Sequence, residues 1–264
     1  MKLSIATYNI HKGVTSIASR PRIHALKQAL NAMKADVFFL QEVQGRHDRM
    51  AARHAAHWAD AQHHFLAGDT HTAVYGMNAV YDHGHHGNAL LSCHPIASST
   101  NQDISDHAYE SRGVLHCVIQ TPEVAVHCYV VHLGLFASSR KRQGDALIEA
   151  VNSSAPHDAP VIIAGDFNDW ENNLSDTLRK RLNVTEVFDE KSDKYGIAAF
   201  IRTLSGRAVK KMKPARTFPA ALPFLRLDRI YVRGFEVESA EVLHGAQWAR
   251  LSDHAPIVAT LRLK

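Results

Sequence analysis

Two short segments hold the groups best suited to chemistry: Gly165-Asp166-Phe167-Asn168 and Ser252-Asp253-His254-Ala255-Pro256. Each places acid, amide or imidazole groups directly beyond an apolar run, Val161-Ile162-Ile163 before the first and Trp248 to Leu251 before the second. Carboxylate, amide and imidazole groups together suit proton transfer and the holding of a hard cation. The apolar run demands burial as a strand, and Gly165 permits a sharp exit that leaves Asp166 and Asn168 at the strand's mouth. Polar residues presented at strand ends on a rigid scaffold are where chemistry usually sits. Alone, G-D-x-N is an ordinary turn, because Gly, Asp and Asn are the residues turns select.

Four further segments repeat this grammar. Ile5-Ala6-Thr7-Tyr8-Asn9 is a strand ending in an amide, and Val37 to Glu42 is a buried run ending in a carboxylate. Tyr129-Val130-Val131-His132 ends in an imidazole, and Asp228 lies inside Leu225 to Val232. In chain order the pieces read T-Y-N, Q-E, H-G-N-A-L-L-S, S-R-G, H-L-G, G-D-F-N, L-D-R and S-D-H-A-P. Through this ordered set the chain resembles the endonuclease/exonuclease/phosphatase superfamily, which includes DNase I, exonuclease III-type repair nucleases, sphingomyelinases and inositol polyphosphate 5-phosphatases. Each motif is weak alone; chance would have to supply every piece in sequence.

The resemblance implies an α/β fold: a four-layer sandwich of two mostly antiparallel β-sheets flanked by helices, with the site at one edge. It implies a Mg²⁺-dependent hydrolase of phosphate esters, with Mn²⁺ as a substitute metal. Such chemistry needs phosphoryl charge neutralised, a water oriented and the leaving oxygen stabilised. Glu42 is the expected metal ligand, with Asn9 as an amide-oxygen neighbour at the metal and Asp253 completing the site. The resemblance pairs Asp228 with His254, a carboxylate that fixes the ring's tautomer and raises the basicity of its other nitrogen. His254 then either takes a proton from water or hydrogen-bonds the phosphoryl oxygen; Asp166 competes for the base role, and Asn168 orients water or phosphate. Exonuclease III-type enzymes resemble Y-V-P-N-G where this chain has V-V-H-L-G, so His132 places the chain nearer DNase I and the sphingomyelinases. No clear counterpart of that histidine's carboxylate partner stands in the sequence. Asn88 resembles a substrate-side amide, and Arg112 is equally a contact for an anionic substrate or half of a core salt bridge.

Size and composition describe an ordinary soluble globule. The 264 residues, expected to form a single domain, are enough to bury a core without disulfides. Hydrophobic residues make up 45% and charged residues 21%, and no apolar run is long enough to span a membrane. The start of the chain carries no secretory pattern, so a cytoplasmic monomer is expected. Cys93, Cys117 and Cys128 lie in strand-like stretches with no C-x-x-C pair, which reads as buried, inert thiols. Net charge is +4, and Arg202 to Arg216 holds six basic residues and no acid: a solvated loop or a polyanion-binding stripe. His83-Gly84-His85-His86-Gly87, just before Asn88, reads as a loop.

Elements follow from the periodicities. Ser19 is expected to cap a helix that Pro21 opens, with Ile23, Leu26, Leu30 and Met33 on its apolar face. Further helices are expected around His47 to Asp60, over Ser139 to Val151 with Ser138 or Ser139 as cap, and over Asn173 to Leu182. Strands are expected over Ala73–Tyr81, Asn88–Cys93, Gly113–Gln120, Val124–His132, Asp228–Val232, Val237–Leu243 and Ile257–Leu263, with Thr121-Pro122-Glu123 as a hairpin turn. Ser192 to Pro223 reads as a long loop. The leading functional expectation is a phosphodiesterase acting on nucleic acid or a small diester. The alternatives are a phospholipid phosphodiesterase with a peripheral lipid substrate, a phosphoinositide-type phosphomonoesterase, and a non-catalytic polyanion binder.

Overall fold

The computed structural model describes residues 1–15, 19–107, 109–189 and 215–264. Alternation along its strands decides which core each side chain enters. In β1 (Lys2–Asn9) and β2 (Val37–His47), Leu3, Ile5, Val37 and Phe39 enter a core between two sheets. Their neighbours Ala6, Tyr8, Phe38 and Leu40 face the other way, onto α1 (Ile23–Met33), whose Ile23, Leu26 and Leu30 are buried. In β7 (Ala125–His132) and β8 (Val161–Asp166), Cys128, Val130, Ile162 and Ala164 enter the same central core. Tyr129, Val131 and Ile163 turn outward onto α4 (Ala137–Ser154) and α5 (Ser175–Leu182). The result is helix, sheet, sheet, helix.

The other elements are α2 (Asp48–Arg53), α3 (Gln62–Ala67), β3 (Thr72–Tyr81), β4 (Gly84–Ser92), β5 (Ile96–Asp103), β6 (Gly113–Gln120), β9 (Thr185–Glu186), β10 (Asp228–Arg233), β11 (Phe235–Val242), α6 (Ala246–Ala249) and β12 (Ile257–Leu263). One sheet runs β11-β12-β1-β2-β4-β3 and the other β5-β6-β7-β8-β10-β9. The β1–β2 and β7–β8 pairs are parallel, and the remaining pairs antiparallel.

Register does the positioning. Asp166 pairs with His132 on one side and with Asp228 on the other, and Asn9 pairs with Gln41. Glu42 follows at a break in the β2–β4 register, with a φ of 53°. The extra residue of such a bulge re-aims a side chain; Glu42 lies within β2 rather than ending it. Gly165, too, sits inside its strand rather than at an exit. Its φ is +153°, and a Cβ there would collide with the Val131 carbonyl oxygen of β7. Gly165→Ala is expected to cost about 2–4 kcal/mol of unfolding free energy, read from urea denaturation. An unchanged midpoint would show that β7 yields.

Other expectations change in detail. Ser19 does not cap α1, which starts at Ile23 after Arg22 with no side-chain cap. The stretch His47 to Asp60 forms a helix only over α2, because β2 runs on to His47. Ser139 donates its hydroxyl to Asp106 instead of capping α4. Trp248 belongs to α6, so the run before Ser252 is helical rather than a strand. His85, His86 and Gly87 belong to β4, not a loop; Gly87 lies so close to the Gly76 carbonyl of β3 that no Cβ fits. Cys117 and Cys128 are buried, but Cys93 is exposed. β5 was not expected, for its polar residues are almost all exposed along a sheet edge. Residues 190–214 lie outside the described residues, and with them most of the basic stretch from Arg202 to Arg216; beyond them, Ala215, Thr217 and Ala220 are buried.

Candidate active site

The ends of β1, β7, β8 and β10 bring buried polar groups around the Asp166 carboxylate. Its Oδ1 accepts from the Asn168 backbone N–H at 3.0 Å, and Oδ2 accepts from Asn9 Nδ2 at 3.1 Å. His132 Nε2 stands 3.5 Å and His254 Nε2 3.7 Å from the same Oδ2. The other ring nitrogen of His254, Nδ1, is 2.8 Å from Asp228 Oδ2, the pairing the resemblance implied. Asn168, at a φ of 50°, donates Nδ2 to the Leu133 carbonyl at 2.8 Å. Ser252 holds the loop to β1 by donating its hydroxyl to the Asn9 carbonyl at 2.7 Å.

Burial and charge set the protonation states. Burial works against the charged ring of His254, yet Asp228 and Asp166 outweigh it and lift its pKa to about 10. Burial lifts the Asp166 carboxyl to about 6, with His254 pulling the other way. At neutral pH the pair is therefore an imidazolium facing a carboxylate. His132 is different: burial, with Arg112 adding to it, pushes its pKa well below the ordinary histidine range and leaves the ring neutral.

Glu42 occupies a second corner. Burial alone would raise its pKa, but the surrounding His132, Lys12 and His11 hold it down at about 2. With His132 neutral, the lasting partner is Lys12, whose Nζ lies 3.5 Å from Oε2. That oxygen is buried and has no hydrogen-bond partner. Asn9 turns Nδ2 toward Glu42 Oε1 at 3.5 Å, while its oxygen accepts from His11 N–H at 3.1 Å. Asp253 Oδ1 pairs with His11 Nδ1 at 3.2 Å. An ionised, buried carboxylate with an oxygen that accepts no hydrogen bond, beside a second carboxylate, fits the oxygen-rich surroundings of a hard divalent cation. Asp166, Asp228 and His254 also bring three potential donor atoms within 4.8 Å of one another, but the protonated ring of His254 has no lone pair to offer an ion.

Asn88 and Arg112 line a small cavity with Glu42, His86 and His132. Asn88 donates to the Gly113 and Val130 carbonyls at 3.0 and 3.4 Å, and its buried Oδ1 is left without a partner. Arg112 lies 3.7 Å from Glu110 Oε1, and its buried Nε has no partner. All ten residues expected from the sequence thus meet in one region or line it. His11 and Lys12 were not expected from the sequence, although they stand two and three residues after Asn9. Nor was Glu110, the buried carboxylate beside Arg112.

The family model for the endonuclease/exonuclease/phosphatase family matches residues 6–254. The chain belongs to that family. It is 40% identical over 263 residues, covering 98% of this chain and 96% of the other, to Escherichia coli YbhP, whose own name describes it as uncharacterized. In fold it is similar to the mannosyl-6-phosphatase of Bacteroides thetaiotaomicron, at 16% identity and a TM-score of 0.71, covering 99% and 100% of the two chains. It is likewise similar in fold to D. rerio TDP2 complexed with single strand DNA product, at 19% identity and a TM-score of 0.67, covering 99% of each chain. Family members are hydrolases of phosphate esters, and the two six-stranded sheets with flanking helices are the family's fold.

Proposed function

We propose that this chain is a Mg²⁺-dependent phosphodiesterase, with Mn²⁺ able to substitute, and that Asp166 is its general base. The observation that carries this reading is the Asp166 carboxylate itself: buried, ionised near neutral pH, and surrounded by Asn9, Asn168, His132 and His254. Water positioned by Asn168 attacks phosphorus, Asp166 takes its proton, and the leaving oxygen departs with the electron pair of the broken P–O bond and is protonated from solvent. His254, held as an imidazolium by Asp228, donates a hydrogen bond to the phosphoryl oxygen where negative charge grows. Glu42 would hold the cation, with Asp253 and Asn9 beside it, and the bound ion would neutralise phosphoryl charge. Arg112 and Asn88 face the substrate side. A pure polyanion binder has no use for this collection of buried, ionised groups.

Because His132 is neutral, its role in this reading is to donate a hydrogen bond rather than a proton. His132→Ala should slow diesters with good and poor leaving groups by the same factor. A selectively larger loss on the poor leaving group would instead make His132 a general acid.

The pH dependence follows from two groups. Asp166 works only when ionised, so kcat/KM should fall as pH drops through about 6. His254 works only when protonated, so it should fall again as pH rises through about 10. A profile still rising above that alkaline value would instead make neutral His254 the base.

The substrate class is tested by comparing bis-p-nitrophenyl phosphate with the mono-ester in the presence of Mg²⁺. The diester should be the better substrate. Preference for the mono-ester would favour a phosphatase, the activity named for the Bacteroides structure.

A further inference from the structure

We propose that the loops around this site form a docking surface for an anionic phospholipid bilayer, so that the phosphodiester cleaved is one presented at a membrane surface. For its substrate the inference rests on the phosphodiesterase reading; for docking it does not. Among the described residues, eight large hydrophobic side chains are exposed, and six of them sit on loops that carry site residues. Tyr109 precedes Arg112 by three residues, Leu135 and Phe136 follow His132, Trp170 follows Asn168 by two, and Leu222 and Phe224 precede Asp228. At no more than roughly 3.6 Å of chain per residue, each has a site residue within about 22 Å and Trp170 within about 7 Å.

Contacts tie these side chains to the site on both flanks. On one flank Phe136 packs on His107 with ring centroids 5.8 Å apart, and His107 in turn faces Glu110, the partner of Arg112. Arg140 donates to the Leu135 carbonyl and lays its guanidinium 4.5 Å from the Trp170 ring centre. On the other flank the Phe224 N–H bonds the Phe218 carbonyl at 3.0 Å, and the Phe218 ring lies 5.0 Å from His254. Leucine, phenylalanine and interfacial aromatic residues ringing a site on loop tips cost free energy in water and gain it when placed at the boundary of headgroups and acyl chains. On the first flank exposed Lys141 follows Phe136 by five residues while exposed Glu171 follows Trp170; on the other, Arg216 lies six residues before Leu222 and Arg250 three before Asp253, whose carbonyl accepts from the Ala220 N–H at 2.7 Å, and both arginines are exposed. Such side chains attract anionic headgroups. Two of the six are leucines, which offer no π-face for stacking a base, so hydrocarbon is favoured over single-stranded nucleic acid.

The test uses the full chain and vesicles of equal parts phosphatidylcholine and phosphatidylglycerol, with phosphatidylcholine alone as control. Wild type should sediment with the mixed vesicles. The double variants Leu135→Ser/Phe136→Ser and Leu222→Ser/Phe224→Ser should each lose at least about tenfold in partitioning, while circular dichroism and hydrolysis of bis-p-nitrophenyl phosphate stay as in wild type. Wild type remaining in the supernatant, or variants sedimenting equally well, would overturn the proposal. Variants that keep vesicle binding and lose affinity for a single-stranded oligonucleotide would overturn it in favour of base stacking. Absence of diester hydrolysis by wild type would sink the phosphodiesterase reading separately, leaving vesicle sedimentation to decide the docking.

Discussion

Asp166→Asn is expected to lower kcat for a phosphodiester by roughly 10²–10⁴-fold while KM changes little. The amide keeps the shape of the carboxylate and can still accept from the Asn168 N–H that now bonds Oδ1 at 3.0 Å. It cannot take a proton from water, and it removes the negative charge facing His254 Nε2 at 3.7 Å. The loss therefore falls on the transition state and not on ground-state binding. The acid limb of the pH profile should vanish with it. A variant whose loss lies wholly in KM would reduce Asp166 to a substrate contact and return the base role to His254.

Glu42→Gln should weaken Mg²⁺ binding by more than the roughly 10–100-fold that loss of an outer-sphere partner costs, and lower turnover at limiting metal accordingly. Glutamine preserves volume, so circular dichroism and thermal unfolding should remain those of wild type. What it removes is the charge: a carboxylate held below the ordinary glutamate range beside Lys12, with one buried oxygen that accepts no hydrogen bond. Titration calorimetry with Mg²⁺ reads the affinity without any substrate. If Glu42→Gln binds Mg²⁺ as wild type does, Glu42 does not hold the cation.

How much of this was legible in the sequence depended on whether the controlling interaction was local. The period-two burial of β1, β2, β7 and β8 is written in their own residues, and so were those strands and the motifs at their ends. The apolar face of α1 was equally readable from Ile23, Leu26 and Leu30. What brings Asp166 between His132 and Asp228 is register across strands far apart in the chain, and no local pattern encodes it; the family resemblance supplied only the pairing of Asp228 with His254. The aim of Glu42 depends on a bulge against β4 that appears only when the two strands are paired. β5 escaped because an edge strand exposed along most of its length carries no hydrophobic alternation. The histidine-rich start of β4 read as a loop because its glycines suggest turns, whereas Gly87 serves close approach to β3. Lys12 escaped for another reason: at a φ of 58° in a short 3-10 turn, its ammonium reaches Glu42 by a backbone path that residue order does not reveal.

The central claim is that a divalent cation and this cluster of buried groups together hydrolyse a phosphodiester. It is tested most directly by following bis-p-nitrophenyl phosphate turnover by the purified protein after EDTA treatment, then after addition of Mg²⁺ or Mn²⁺. No turnover in EDTA and recovery with either ion are expected. Hydrolysis that persists undiminished in EDTA, or that no metal restores, would contradict it.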